Sequence, residues 1–173
     1  MAFSISTLVR GLLGQPPKLV CAGAVWGEGV AELRRRAGGV RESGAFLLGR
    51  RNRATRRITQ FLYYDDVDPT CFRHGIVELD GRRLGTVWQR CRELGLEVVA
   101  DVHVHPGGCG QSMSDRDNPI MPHVGHLALI IPYFAARGVM PGRIGIYEYV
   151  GARNWLDHSR LGNKIVYVGW WPL

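Results

Sequence analysis

The sequence lacks the features that would point to a membrane-bound or secreted protein. No apolar run approaches the roughly 20 residues that a helix needs to span a bilayer. Arg10 interrupts the mildly apolar N-terminus and no positively charged segment precedes it, so we predict no signal peptide. The four cysteines form no Cys-x-x-Cys pair. This cysteine usage predicts reduced thiols and a cytoplasmic location.

Acidic residues are in the minority, and the excess positive charge comes almost wholly from arginine. The 173 residues contain 22 basic and 15 acidic side chains, which gives a formal net charge of +7. The arginines cluster at residues 34–36 and again between Arg50 and Arg57. Such clusters suit an acidic protein partner as well as nucleic acid. Because no aromatic nucleic-acid motif accompanies them, a solvated or protein-docking surface is favoured over nucleic acid.

The length and the hydrophobic pattern predict one α/β domain. A chain of 173 residues with 46% hydrophobic residues suits a single core, so we expect an N-terminal arm at residues 1–17 and one domain at residues 18–173. Helical spacing predicts helices at residues 28–36 and 78–94, the second with Trp88 in the core. Strands are predicted at residues 18–26, 40–50, 56–64, 98–105, 126–132, 145–150 and 164–170. Helices between strands indicate a mixed sheet flanked by helices.

The stretch from Asp101 to Pro106 carries the strongest chemical signal in the chain. Side chains two residues apart on a strand share a face, so His103 and His105 would lie side by side. Val102 and Val104 would then point into apolar packing. Pro106 lacks a backbone donor and would end the strand. Two imidazoles at a strand end can chelate a metal ion.

A carboxylate in the loop after the strand can complete a metal site. The glycines at 107, 108 and 110 let the chain turn back, so that Asp115 can supply an oxygen ligand. Two histidines and one carboxylate leave the fourth position of a tetrahedral Zn²⁺ open to water. An open position is typical of a hydrolytic site. His103, His105 and Asp115 therefore predict one zinc ion per chain.

These motifs resemble the signature of the JAMM/MPN metalloproteases. His103-x-His105-Pro106 is followed by Ser112-x-x-Asp115, and residues 42–49, Glu-Ser-Gly-Ala-Phe-Leu-Leu-Gly, are similar to the family's upstream glutamate motif. The resemblance covers roughly residues 18 to 150. It implies an MPN-like (cytidine-deaminase-like) mixed sheet. It also implies a zinc peptidase that removes or processes ubiquitin-like proteins, or an inert scaffold.

Within that resemblance, Glu42 and Ser112 take catalytic roles. Glu42 would take a proton from the zinc-activated water and deliver it to the leaving amine, as a general base and then an acid. Ser112 would donate a hydrogen bond to the developing oxyanion. The hypothesis is therefore metal-assisted hydrolysis of an amide or isopeptide bond.

One spacing departs from the family pattern. Ten residues usually separate the second histidine from the aspartate, whereas nine separate His105 from Asp115 and eleven separate it from Asp117. Both aspartates end a Ser-x-x-Asp, which begins at Ser112 or at Ser114. The run Gln-Ser-x-x-Asp-x-x-Asn-Pro at residues 111–119 favours Asp115, and Asp117 stays the alternative ligand.

The same run looks like bacterial JAMM proteins of ubiquitin-like conjugation operons, which are associated with defence against phage. Residues 144–149 and 169–171 share this likeness. It implies a ubiquitin-like protein and its conjugates as partners, with the operon's activating and conjugating enzymes as further candidates. Three alternatives stay open: a zinc peptidase acting on sulfur-carrier or cell-wall peptides, a non-catalytic MPN scaffold, and a nucleic-acid binder.

Four polar residues near the motif have weaker assignments. Asp101 shares the face of the two histidines, where it would either orient one of them or pair with a surface arginine. Cys109 is expected to be a small loop residue rather than a competing thiolate. His123 and His126 are expected to have structural or solvent-facing roles, with substrate contact as the lesser alternative.

Overall fold

Eight strands, four α-helices and four short 3₁₀ helices lie within residues 15–74, 76–137 and 139–169, the part of the chain that this computed structural model describes. The strands are β1 (Leu19–Cys21), β2 (Gly44–Asn52), β3 (Thr55–Tyr63), β4 (Glu97–Val104), β5 (Leu127–Ile131), β6 (Gly145–Gly151), β7 (Asn154–Asp157) and β8 (Val166–Val168). The helices are α1 (Gly23–Ala37), α2 (Tyr64–Val67), α3 (Leu84–Leu94) and α4 (Met113–Asp117). None of these helices is long and apolar enough to cross a membrane. Residues 1–14 of the expected arm and the Trp170-Trp171 pair lie outside the described residues.

The strands form one mixed sheet in the spatial order β7-β6-β5-β4-β2-β3-β1-β8. β1 runs parallel to β3 and β8, β4 runs parallel to β5, and the other neighbouring pairs are antiparallel. β5 is buried along its whole length, as is typical of a strand covered on both faces. The strand that carries His103, β4, lies in the middle of the sheet. The expected α/β class with a mixed sheet is confirmed.

Alternate side chains of the central strands pack into two separate apolar layers. On β2, Leu47 belongs to the layer that includes α1, and Phe46 belongs to the layer that includes α3. On β4, Val102 and Val104 are fully buried in the α1 layer. His103 consequently points to the other side of the sheet, towards α3.

The boundary between the first strand and the first helix differs from the prediction. The strand was expected to reach Trp26, but it ends at Cys21, and α1 runs without a break through Gly27. Trp26 is buried, and its indole N–H donates to the Val139 carbonyl at 2.9 Å. Together with Val30 it forms the inward face of the helix. This packing outweighs the β propensity of the small and branched residues.

The helix predicted at residues 78–94 is shorter, and one of its predicted core residues is on the surface. It begins at Leu84 after a 3₁₀ turn, so residues 78–80 belong to the preceding loop. Val87 and Cys91 are buried, but Trp88 is 38% exposed. Adjacent helical residues are about 100° apart around the axis, so Trp88 lies beside the buried stripe.

Strand β7 was not predicted, and strand β8 is shorter than predicted. Ala152 and Arg153 join β6 to β7 with φ values of 49° and 61°. Positive φ at both central residues is the geometry of a type I′ turn, which normally requires residues such as Asn-Gly. Ala-Arg carries no such signal. At the C-terminal end, Lys164 closes a 3₁₀ turn instead of opening a strand.

Candidate metal centre

The two motif histidines lie side by side at the end of β4. His103 is in β4, and His105 is the first residue after the strand ends at Val104. The Nε2 atoms of the two histidines are 2.9 Å apart. Both side chains are buried. The His105 amide donates to the Ile131 carbonyl of β5 at 2.9 Å, which holds the backbone beyond the strand end. Neighbouring strands on both sides thus determine the direction of the imidazoles.

Asp115 approaches both imidazoles from α4. Its Oδ1 is 3.3 Å from His103 Nε2, and its Oδ2 is 3.3 Å from His105 Nε2. Ser112 caps this short helix: its hydroxyl oxygen accepts from the Asp115 amide, while its own amide and hydroxyl donate to Asp115 Oδ2 at 2.6 and 2.8 Å. This reciprocal capping box orients the carboxylate. The Ser112 hydroxyl, expected to serve an oxyanion, is engaged by Asp115.

The Asp115 carboxylate and the His103 imidazole shift each other's pKa. Burial lowers the pKa of His103, but the hydrogen bond to Asp115 and its negative charge outweigh burial and raise that pKa above its ordinary value. Burial raises the pKa of Asp115, but hydrogen bonds from His103 and His105 outweigh it and hold that pKa well below its usual range. An imidazole nitrogen must lose its proton before it binds a metal. Metal binding here would therefore release protons.

The spacing of the three side chains suits a tetrahedral zinc ion. Ligand atoms about 2.0–2.1 Å from zinc stand roughly 3.3 Å apart at tetrahedral angles. The two imidazole–carboxylate distances are 3.3 Å, and the imidazole–imidazole distance is 2.9 Å. Among the described residues, His103, His105 and Asp115 are the only group of three such side chains with ligand atoms within 4.8 Å of one another. The alternative ligand, Asp117, is exposed and outside this group.

The register between β2 and β4 brings Glu42 to the centre. Glu42 precedes β2, which begins at Gly44 and not at residue 40 as predicted. Gly44 lies opposite His103, and extending this antiparallel register by two residues places Glu42 opposite His105. Glu42 Oε1 is 3.8 Å from His105 Nε2.

The second carboxylate oxygen of Glu42 is held by the backbone. The Val77 amide donates to Oε2 at 3.0 Å. Oε1 therefore faces His105, while Oε2 is fixed by a donor from a different part of the chain. Sequence reasoning could not identify Val77, because a backbone N–H carries no signature in the residue type.

Asp101 takes neither of the two roles weighed for it. Its Oδ1 bonds to His126 Nε2 at 2.6 Å, and its Oδ2 accepts from the Tyr64 hydroxyl at 3.1 Å. All three side chains are buried. The ring of Tyr64 can lie here because Gly44 has no Cβ, which would stand 2.4 Å from that ring. His126 is therefore structural, as expected.

A narrow cleft of about 50 Å³ opens beside His103. Its lining includes Val77, Gln111, Asp115 and Trp155. Trp155 lies in β7, and because this strand was not predicted from the sequence, Trp155 was not predicted near the site. The only turn signal in the sequence was Gly151 followed three residues later by Asn154. The Trp155 indole N–H donates to the Arg116 carbonyl at 3.3 Å, which links β7 to α4.

The remaining polar residues of the motif region lie outside the group of candidate ligands. Cys109 is half-buried in the loop, where its carbonyl accepts from the Tyr147 hydroxyl at 3.1 Å, and its thiol does not join the three ligand side chains. His123 is exposed, and its Nδ1 lies 2.9 Å from the Val124 carbonyl oxygen. Neither residue contributes a side chain to the centre.

Comparison with known proteins supports the fold. No family model matches the sequence. A protein of Desulfitobacterium hafniense, whose structure was solved in solution, matches with a TM-score of 0.63 and 17% identity, over 87% of this chain and 92% of that chain. A Salinibacter ruber protein, also solved in solution, matches with a TM-score of 0.49 and 19% identity, over 75% of this chain and 84% of that chain. The first likeness shows the α/β fold alone.

The two aspartates can be separated by metal content. We expect Asp115→Asn to lose most of its bound zinc and Asp117→Asn to retain it, because only Asp115 lies 3.3 Å from both imidazoles. Zinc per chain would be measured by inductively coupled plasma mass spectrometry after gel filtration. Zinc loss confined to Asp117→Asn would reverse the assignment.

Proposed function

We propose that this protein is a zinc-dependent peptidase or isopeptidase of the JAMM/MPN type, with an MPN-like fold, which cleaves after the C-terminus of a ubiquitin-like protein. One observation carries the proposal: His103, His105 and Asp115 converge at tetrahedral spacing, with the Glu42 carboxylate 3.8 Å from His105. Three ligands and a neighbouring carboxylate form the arrangement of a hydrolytic zinc site.

The chemistry follows from the placement of the side chains. When bound by His103, His105 and Asp115, zinc would supply a Lewis acid and lower the pKa of water from ~15.7 towards ~7. Glu42 accepts the proton of the attacking water on Oε1 and delivers it to the leaving amine. Ser112 orients Asp115, with its hydroxyl 2.8 Å from Asp115 Oδ2, and we expect that hydroxyl to donate to the oxyanion when it turns from the carboxylate.

The shape of the site supports an extended, small-residue tail as substrate. The cleft beside His103 holds only about 50 Å³, and its lining includes Val77 and Trp155. Trp155 belongs to β7, an edge strand of the sheet. An extended peptide can add to such an edge through main-chain hydrogen bonds. The C-terminal tail of a ubiquitin-like modifier has this form.

The proposed partners are a ubiquitin-like protein and its conjugates, together with the activating and conjugating enzymes of the same operon, in the cytoplasm. The surface charges do not favour nucleic acid. Arg36 bonds to Asp65 and Asp66 at 2.5 and 2.7 Å, so part of the first arginine cluster is neutralised within the chain. Arg56 of the second cluster donates to the carbonyls of Val99 and Gly125.

The test combines metal content and cleavage in one preparation. We expect about one zinc per chain, and cleavage of a ubiquitin-like protein that carries a C-terminal extension. A chelator should abolish the cleavage, and added zinc should restore it. A folded protein that is supplied with excess zinc and binds none would contradict the site. Bound zinc without cleavage of any ubiquitin-like substrate would favour the scaffold.

A further inference from the structure

Asp68 is a buried residue outside the metal centre, and its carboxylate accepts hydrogen bonds from both Thr70 and Asp80. It follows α2 and is 2% exposed. Its Oδ1 accepts from the amide and hydroxyl of Thr70 at 3.0 and 2.7 Å, and its Oδ2 accepts from the Asp80 amide at 3.3 Å. A buried carboxylate is tolerated when its oxygens are bonded in this way. One side chain therefore joins residue 70 to residue 80.

Backbone hydrogen bonds also stabilise the segment between Thr70 and Asp80. The Cys71 amide donates to the Asp68 carbonyl at 3.0 Å, and the Glu78 amide donates to the Cys71 carbonyl at 2.8 Å. Cys71 and Phe72 are buried in the apolar layer that includes α3. These contacts determine where residues 76–80 lie relative to the sheet.

Val77 immediately precedes Glu78, whose amide is bonded to the Cys71 carbonyl. The Val77 amide is the donor to Glu42 Oε2 at 3.0 Å. The position of that amide depends on the stretch that Asp68 closes. Glu42 has no other hydrogen-bond donor from a backbone amide among the described residues. The contact therefore determines which of its oxygens faces His105.

We propose that Asp68 is a positioning residue for Glu42. By joining Thr70 to Asp80, it holds the Val77 amide against Oε2 and leaves Oε1 directed at the metal centre. The catalytic consequence rests on the proposed function, but the structural consequence does not. The two parts can therefore be tested separately.

The structural part is tested by amide hydrogen exchange in the purified protein, whether or not it binds zinc. Asp68→Asn keeps one acceptor oxygen and turns an NH₂ group towards N–H donors, so we expect exchange at Val77 and Asp80 to rise about tenfold or more. Thr70→Ala removes one donor and should give a smaller rise in the same direction. Asp66→Asn is the matched control, because the Asp66 carboxylate bonds to Arg36 and should leave both amides unchanged.

A substitution of Glu42 tests whether the effect runs from Asp68 through Val77 to Glu42 and not in reverse. Glu42→Ala removes the acceptor of the Val77 amide, so exchange should rise at Val77 while Asp80 stays protected. If Asp68→Asn fails to fold, Thr70→Ala decides the question. Unchanged protection of Val77 in a folded Asp68→Asn protein, or in Thr70→Ala in its place, would overturn the proposal.

The catalytic part is tested by steady-state kinetics on the C-terminally extended ubiquitin-like protein. A displaced catalytic group lowers turnover more than binding, so Asp68→Asn should lower kcat about 10- to 100-fold with KM and zinc content little changed. Equal kcat in Asp68→Asn and the wild type would refute positioning even if hydrolysis is established. If the wild type cleaves nothing, the proposed function fails, and the exchange result alone decides the role of Asp68.

Discussion

Glu42→Gln is expected to lower kcat by about 10²- to 10⁴-fold while leaving the zinc content at about one per chain. The amide is nearly isosteric with the carboxylate and can still accept the hydrogen bond from Val77, but it cannot take up a proton. Glu42 lies 3.8 Å from His105 and is not one of the three grouped ligands, so its loss should spare the metal. Zinc content and steady-state kinetics on one preparation measure both quantities.

The control for this substitution is Glu97→Gln. Glu97 opens the histidine strand six residues before His103, about 20 Å away along the strand, and its partly exposed side chain pairs with Arg51 at 3.6 Å. The same chemical change there should leave kcat unaltered. Full activity in a zinc-loaded Glu42→Gln protein would remove Glu42 from the mechanism and require another base.

His103→Ala is expected to abolish both stoichiometric zinc binding and measurable hydrolysis. The imidazole is buried at the centre and would supply one of three ligand atoms, so the two remaining candidate ligands would not hold the ion at tetrahedral spacing. Bound zinc and cleavage of the extended ubiquitin-like substrate report the two effects. The thermal transition of the variant, compared with that of metal-stripped wild type, shows whether the fold persists.

The matched control is His123→Ala, because His123 is exposed and contributes no side chain to the centre. Zinc binding and activity should both stay at the wild-type level. If a folded His103→Ala protein still binds one zinc per chain, the metal lies elsewhere and the arrangement of His103, His105 and Asp115 has another purpose.

Where local periodicity was clear, the sequence predicted the structure well. The alternation around His103 placed Val102 and Val104 in the core and both histidines on the opposite face, because successive side chains on a strand must alternate. The mixed α/β class followed from the order of helices and strands. These features depend on neighbours within a few residues.

Predictions that depended on a local preference alone were less reliable. Trp26 was expected in a strand but lies in α1, where burial against distant residues outweighed its β propensity. Trp88 was expected in the core but lies on the surface, because an apolar side chain next to a buried stripe has the same sequence signature as one within it. The β6–β7 hairpin was missed because Ala152 and Arg153 are unusual at positive φ.

The sequence by itself determined the candidate chemistry of this protein: two histidines on one strand face, an aspartate in the loop that follows and a glutamate far upstream. Only the tertiary structure decided which groups meet. The pairing of β2 with β4 places Glu42 opposite His105, and the capping of α4 turns Asp115, not Asp117, towards the imidazoles. The Val77 amide reaches Glu42 across 35 positions of sequence. Such contacts depend on sheet register and loop closure, which arise from long-range packing and leave no local pattern.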